Sequence, residues 1–225
     1  MPEDHERENE NLPVHKKGLL CVFHQKYTTT SPVLQGAPCA MWYNGIKRRR
    51  ECMGFGIAIM GLNGAGKTTL GKCLESMSDF KSLDVETYYF PDPENGYAVS
   101  RRGDEVEKLL LEDMKKHPFF VLSCVRLNFS DEIKKNIDLA VCLTAPKDRR
   151  MERIRRRAIE KFSDRVLSGG DMHAREEAFF KMAEKRNDEI VQNAMDALSC
   201  PKLFLSGLDA PEENARKILS QIKNI

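Results

Sequence analysis

The sequence has no long apolar run and no strong excess of charge of either sign. Its apolar runs fall short of the roughly 18 residues that a membrane-spanning helix needs. The charged first residues lack the apolar centre of a secretory leader. The 36 basic and 34 acidic residues nearly cancel, to +2, so a dedicated nucleic-acid-binding protein is not indicated. We therefore expect a cytoplasmic protein without membrane contact.

Regular cysteine spacing is also missing. The seven cysteines are odd in number and contain no C-x-x-C pair, which favours reduced thiols over a disulfide framework. The 225 residues are 41% hydrophobic, enough for one sizeable core. Residues 1–52 show neither a helical nor a strand period, so we expect an N-terminal extension outside the core, disordered or without its own fold. The folded domain is then 53–225.

From residue 54 onward, apolar strands alternate with amphipathic helices. The strands at 119–125 and 138–144 are continuously apolar rather than alternating, which is typical of a parallel sheet covered by helices on both faces. We predict a doubly wound α/β domain of about five parallel strands. A long helix should follow Pro146, and a second long helix should end near Leu198. The predicted strands are 54–60, 80–86, 119–125, 138–144 and 202–205.

A phosphate-binding motif joins the first strand to the first helix. Residues 61–68 fit G-x-x-x-x-G-K-[ST], and Thr69 continues the helix that begins at the end of this motif. Glycines permit backbone geometries in which successive N–H groups surround a polyphosphate, and the helix N-terminus favours the same anion. Lys67 would contact the β- and γ-phosphates, while Thr68 would be a ligand of Mg²⁺. The motif is Gly61, Leu62, Asn63, Gly64, Ala65, Gly66, Lys67 and Thr68.

Two acids follow at the end of the second predicted strand. Asp84 and Glu86 should leave the same side of an extended segment, because one residue separates them. We expect this strand to lie beside the first one, where the carboxyl ends of strands carry the ligand site. One carboxylate could serve Mg²⁺ and the other the hydroxyl of an acceptor. The alternative is a solvated pair at a strand end.

An arginine-rich helix comes next in importance. Arg149, Arg153, Arg156 and Arg157 are spaced to share one helical face, and Arg165 precedes the loop with Gly169 and Gly170. We interpret residues of about 149–175 as a lid whose arginines Arg153, Arg157 and Arg165 close over transferring phosphoryl groups. A solvated face or a nucleic-acid contact remains the alternative. Arg101 and Arg102 could clamp an anionic acceptor or could simply be solvated.

The order of these features resembles the P-loop small-molecule kinases, the adenylate kinase and shikimate kinase group, from Gly54 to the C-terminus. Asp84-Val85-Glu86 is similar to the Asp-x-Asp of shikimate kinases, with Glu in the second place, which implies Mg²⁺ and acceptor roles. Residues 206–209 lie where the chain runs beside the adenine base in these kinases, and the resemblance therefore implies ATP as the donor. Residues 162–172 resemble a poorly characterised, AAA-type ATP-binding subfamily, which implies no substrate.

We expect an ATP-dependent phosphotransferase that moves the γ-phosphate to a small hydroxyl- or phosphate-bearing acceptor, a nucleotide or a shikimate-like metabolite. Two alternatives stay open: an ATP-binding or ATP-hydrolysing switch without a small acceptor, and a nucleic-acid-associated ATPase. No Asn-Lys-x-Asp guanine motif occurs, so a GTPase is not supported. The expected catalytic residues are Lys67, Asp84, Arg153, Arg157 and Arg165, the acceptor residues are Asp84, Glu86, Arg101 and Arg102, and the Mg²⁺ ligands are Thr68 and Asp84.

Overall fold

The structure is a computed structural model, and it describes residues 54–92 and 99–225. The predicted extension, 1–52, lies outside the described residues. Within them, five strands alternate with helices, and one 3₁₀ turn (Ser163–Val166) follows α5. The elements are β1 (Phe55–Met60), α1 (Lys67–Met77), β2 (Lys81–Asp84), α2 (Val85–Tyr89), α3 (Gly103–Lys116), β3 (Phe119–Cys124), α4 (Asp131–Lys134), β4 (Leu139–Thr144), α5 (Lys147–Phe162), α6 (His173–Lys185), α7 (Glu189–Asp196), β5 (Lys202–Ser206) and α8 (Pro211–Ile222).

The five strands form one parallel sheet in the order β2-β3-β1-β4-β5. This confirms the predicted α/β class. The register aligns Met60 with Cys124 and Asp84 with Ser123, so the carboxyl ends of β1, β2 and β3 lie at one edge of the sheet. The expectation that β2 lies beside β1 is wrong, because β3 pairs with both strands and separates them.

Each face of the sheet packs against its own set of helices. On one face, Leu70 and Leu74 of α1 and Ile218 of α8 pack against Ile57 and Ile59 of β1. On the other face the side chains of β1, β3 and β4 meet the helices α3, α4 and α7. Burial on both faces explains why the central strands β1, β3 and β4 are almost continuously apolar in sequence.

Helices α5 and α6 carry a small core of their own. Met151, Ile154 and Ala158 of α5 pack against Phe180 and Ala183 of α6, and all five are buried. Phe162, at the end of α5, is buried as well. The predicted lid, about 149–175, covers most of α5, the turn and only the start of α6. We call residues 147–185 the α5–α6 segment.

Two predicted elements differ from the structure. The second strand ends at Asp84, because its Oδ1 accepts a hydrogen bond from the Glu86 N–H (3.0 Å) and so caps helix α2. Glu86 is therefore helical, and the prediction that Asp84 and Glu86 leave the same side of an extended segment is wrong. The long helix expected to reach Leu198 is two helices, α6 and α7, because Arg186 has an extended backbone.

Candidate active site

The loop between β1 and α1 is held by close backbone contacts. A Cβ on Gly61 would lie 2.2 Å from the Leu143 carbonyl oxygen, and one on Gly64 would lie 2.4 Å from that of Arg150. Gly64 and Gly66 also have positive φ angles, 81° and 105°. Only glycine satisfies the space and the conformation at position 64. The loop is therefore fixed against β4 and α5 before any ligand binds.

Helix α1 opens without a side-chain cap. Gly66 is its N-cap residue, and its first turn contains no acidic side chain. The first amide groups of a helix have no partner within the helix, and here no side chain replaces one. This arrangement, together with the curved glycine loop, fits a polyphosphate, which supplies the missing acceptors and matches the positive end of the helix dipole.

Lys67 lies folded back over this loop. Its ammonium group donates a hydrogen bond to the Leu62 carbonyl oxygen (3.1 Å). Burial lowers the pKa of Lys67, while the nearby acids Asp84 and Glu86 oppose that shift. The charge is thus held at the phosphate side of the site by a single neutral acceptor that a phosphate oxygen can replace.

Thr68 and Asp84 bring oxygen atoms together beside Lys67. The Thr68 hydroxyl donates to Asp84 Oδ2 (2.7 Å), although Asp84 stands two strands away from β1 in the sheet. The described residues contain no group of three or more His, Cys, Asp or Glu side chains that could hold a metal alone. Mg²⁺ prefers one or two protein oxygens completed by phosphates and water, and Thr68 with Asp84 fits that requirement.

Two arginines of α5 support the loop from behind. Arg150 is buried, and it donates to the carbonyl oxygens of Ala145 (3.2 Å) and Asn63 (3.3 Å). Arg153 donates to the Gly64 (3.3 Å) and Gly207 (2.9 Å) carbonyl oxygens. The sequence analysis missed Arg150. Its spacing of four residues from Ile154, which continues the buried stripe of α5, could have indicated it.

The turn after β5 also packs against the phosphate loop. The Gly207 N–H donates to the Thr144 carbonyl oxygen (2.6 Å), and a Cβ on Gly207 would lie 2.2 Å from the Ala65 carbonyl oxygen. Asn214 of α8 holds the turn by donating to the Ser206 carbonyl oxygen (2.8 Å). The residues that the resemblance places near an adenine base are therefore adjacent to the phosphate loop.

One cavity of about 760 Å³ extends from the phosphate loop towards the α5–α6 segment. It brings together three residues predicted from the sequence, Asp84, Glu86 and Arg157, with the loop residues Asn63, Gly64, Lys67 and Thr68. Arg157 makes no hydrogen bond or ion pair with any other described residue. Its guanidinium group is thus available to a ligand. The cavity is also lined by the charged residues Arg126, Lys161, Arg175, Glu176 and Arg186.

The other predicted arginines lie elsewhere. Arg165 forms a bidentate, exposed ion pair with Asp171 (2.7 Å), which lowers the pKa of the Asp171 carboxyl. Arg101 donates to the Tyr88 carbonyl oxygen (2.8 Å), and Arg102 pairs with Asp104 (3.1 Å). None of these three arginines lines the 760 Å³ cavity.

The predicted arginine face of α5 is divided. Arg149 pairs with Glu152 (2.9 Å) and Arg156 with Glu160 (3.6 Å), both on the exposed surface, whereas Arg153 and Arg157 point towards the site. The surface arginines are thus neutralised locally by acids of their own helix. This distribution gives little support to a continuous basic surface for nucleic acid.

Arg186 is a further residue that sequence reasoning missed. Its guanidinium group donates to the Asn63 side-chain oxygen (2.6 Å), and burial lowers its pKa. It stands in the break between α6 and α7, so no helical periodicity indicated it. The contact joins the end of the α5–α6 segment to the phosphate loop.

Comparison with known proteins agrees with this description. The family model AAA_18, described as an AAA domain, matches residues 57–166. An uncharacterised protein of Bacillus subtilis (strain 168), YqaC, is 29% identical over 176 residues, which are 75% of this chain and 97% of the relative. No helix within 54–92 or 99–225 combines the length and apolarity needed to cross a membrane.

Solved structures are similar in fold at low sequence identity. A candidate kinase from Chloroflexus aurantiacus J-10-fl has a TM-score of 0.52 and 14% identity, covering 76% of this chain and 97% of its own. Shikimate kinase from Acinetobacter baumannii, solved with shikimate, has a TM-score of 0.47 and 16% identity over 76% and 94% of the two chains. The family match and the five-stranded parallel sheet confirm the resemblance in fold to the P-loop small-molecule kinase group.

Proposed function

We propose that the protein is an ATP:acceptor phosphotransferase that transfers the γ-phosphate to a small hydroxyl- or phosphate-bearing acceptor. The observation that supports this most is the single cavity that joins the phosphate loop to Asp84, Glu86 and Arg157. A switch protein needs a nucleotide site but no second compartment beside it. About 760 Å³ is within the range of small-molecule sites and leaves room for an acceptor beside the terminal phosphates.

The phosphate loop and the residues that support it bind the phosphoryl donor. The residues 61–69 would hold the triphosphate of ATP through backbone N–H groups, and Thr68 with Asp84 would hold Mg²⁺, which neutralises phosphate charge when bound. Arg153 is already engaged by carbonyl oxygens of the loop and of Gly207, so we assign it a positioning role.

The transfer itself needs little covalent help from the protein. The acceptor oxygen forms a bond to the γ-phosphorus while the bond from that phosphorus to the bridging oxygen breaks, and ADP leaves. Glu86 or Asp84 takes the proton of an acceptor hydroxyl. Lys67 and Arg157 stabilise the charge on the transferring group. Arg165 could join them only after leaving Asp171.

The test is ADP release from ATP and Mg²⁺ with a pool of nucleoside monophosphates and small hydroxylated metabolites. We expect acceptor-dependent release that is lost in Lys67→Ala and Asp84→Asn. Lys72→Ala, an exposed lysine of the same helix α1, is the matched control and should behave as wild type. Tight ATP binding without acceptor-dependent release would contradict the proposal and favour the switch. Stimulation of ATP hydrolysis by RNA or DNA would favour a nucleic-acid-associated ATPase.

A further inference from the structure

Glu176 is a carboxylate in an apolar position. On helix α6 it shares a stripe with Phe180 and Ala183, and all three are buried, Glu176 with 6% of its surface exposed. Spacings of four and seven residues place these side chains on the face that packs against α5. Little of the Glu176 side chain is exposed, yet its carboxylate oxygens are not fully buried. An apolar residue is expected at such a position, because a carboxylate that loses water without gaining a partner opposes folding.

No described residue satisfies this carboxylate. Glu176 has no side-chain hydrogen bond and no ion pair within the described part of the chain, and it lines the 760 Å³ cavity. The charged groups that face it are Arg175 on its own helix, Arg157 and Lys161 on α5, and Glu86 on α2. They act at longer range than a hydrogen bond. The carboxylate oxygens are therefore directed at the space in which a ligand would lie.

The charges around Glu176 also link it to the phosphate loop. Glu86 and Arg157 each interact electrostatically with Lys67 and with Glu176, and all four residues line the same cavity. An acceptor whose reacting atom lies beside Glu86 would extend towards Glu176 with the rest of its structure.

We infer that Glu176 binds the phosphoryl acceptor, accepting a hydrogen bond from one hydroxyl group of a polyhydroxylated molecule while Glu86 receives the hydroxyl that reacts. The inference rests on the proposed phosphotransferase function and narrows its acceptor to a polyol. A carboxylate facing the acceptor selects hydrogen-bond donors. Arg157, Lys161 and Arg175 disfavour an ammonium group there, which leaves neutral donors, and the hydroxyl groups of a hydroxyl-bearing acceptor are such donors. A reacting phosphate oxygen beside Glu86 would instead meet like charge.

The first experiment compares two acceptor sets with the full chain. Glycerol, myo-inositol, D-ribose and D-gluconate form the polyol set, and AMP, CMP, GMP and UMP form the phosphate set. We expect turnover with a polyol and none with the monophosphates. For that polyol, Glu176→Gln should raise KM by about 10- to 100-fold, as expected for a hydrogen bond to a charged group, with kcat changed far less. The Kd for ATP with Mg²⁺ should not change.

A second measurement separates ligand binding from a structural role. Because most of Glu176 is buried and no described residue pairs with its carboxylate, Glu176→Leu should raise Tm by about 2 °C or more and yet weaken acceptor binding. The neighbouring Glu177→Gln removes an acid paired with Arg155 on the surface, and should alter neither KM nor Tm. A structural role for Glu176 would lower Tm in the leucine variant.

The outcomes are distinct. Polyol turnover with an unchanged KM in Glu176→Gln, transfer to a monophosphate, or a lower Tm in Glu176→Leu would overturn the inference and leave the phosphotransferase function standing. ATP binding by the wild type without turnover in either set would overturn both.

Discussion

On the phosphate side of the cavity, a Cβ added to Gly64 would lie 2.4 Å from the carbonyl oxygen of Arg150. In the turn between α5 and α6, which does not line the cavity, Gly169 also has a positive φ (90°), yet a Cβ there would meet nothing within 4 Å. At Gly64 neighbouring backbone atoms leave no room for a side chain, whereas at Gly169 only the positive φ of the turn favours glycine. The phosphate side is thus built from packed backbone.

The acceptor side is built from side chains instead. Glu86, Arg157, Arg175 and Glu176 come from three different helices, and no hydrogen bond or ion pair among the described residues fixes their charged groups on one another. A fixed backbone suits the triphosphate, which is the part that every nucleoside triphosphate shares. Separate side chains suit a part that differs between related enzymes. The contrast predicts that changes on the two sides have different consequences.

The largest effect on ATP binding should come from Gly64→Ala. The added methyl group collides with the Arg150 backbone and strains a positive φ, so the loop must open and lose its phosphate geometry. We expect the Kd for ATP with Mg²⁺ to rise at least about 30-fold, roughly 2 kcal/mol. Gly169→Ala, with the same kind of φ but free space, should lose only about 1 kcal/mol of stability. Equal Kd values in both variants would contradict the contrast.

Arg157 tests the acceptor side. Removing one charge that stabilises a transferring group typically lowers kcat by about 10²-fold, and we expect that loss in Arg157→Ala with little change in the Kd for ATP. Arg165→Ala is the comparison, because Arg165 pairs with Asp171 outside the cavity. Steady-state kinetics with the identified acceptor measures both. A kcat loss as large in Arg165→Ala would indicate that the α5–α6 segment closes and brings Arg165 to the phosphates.

Arg150 should matter for stability rather than turnover. Arg150→Ala leaves the Asn63 and Ala145 carbonyl oxygens without their donor and opens a cavity behind the loop. We expect the free energy of unfolding to fall by about 2–4 kcal/mol, measured by chemical denaturation. Its neighbour Arg149 makes only an exposed ion pair with Glu152, so Arg149→Ala should change stability by less than about 1 kcal/mol. Similar losses of unfolding free energy in the two variants would mean that Arg150 does not support the phosphate loop.

The same contrast explains what the sequence could predict. The phosphate loop, the parallel sheet and the buried stripe of α5 follow from contiguous residues and local periodicity. The position of β3 between β1 and β2 depends on long-range pairing, which a single sequence does not display. Arg186 and Glu176 face the cavity because of how three helices pack. Glu176 could have been noticed as an acid at four residues from Phe180, in an otherwise apolar stripe.

The smallest effect concerns pH and Glu176. Burial raises the pKa of its carboxyl, while Arg175 and Arg157 oppose the shift. A carboxyl group whose pKa rises on folding contributes stability that is fully present below its unfolded pKa, about 4.3, and is lost as pH rises through the folded pKa. We expect the stability of the wild type relative to Glu176→Gln to decrease over that interval, in denaturation curves measured from about pH 4 upward. Glu177→Gln controls for losing a charge on the same helix. A relative stability that increases with pH would mean that the Glu176 carboxylate is paired in the folded protein, and the acceptor side would then resemble the fixed phosphate side.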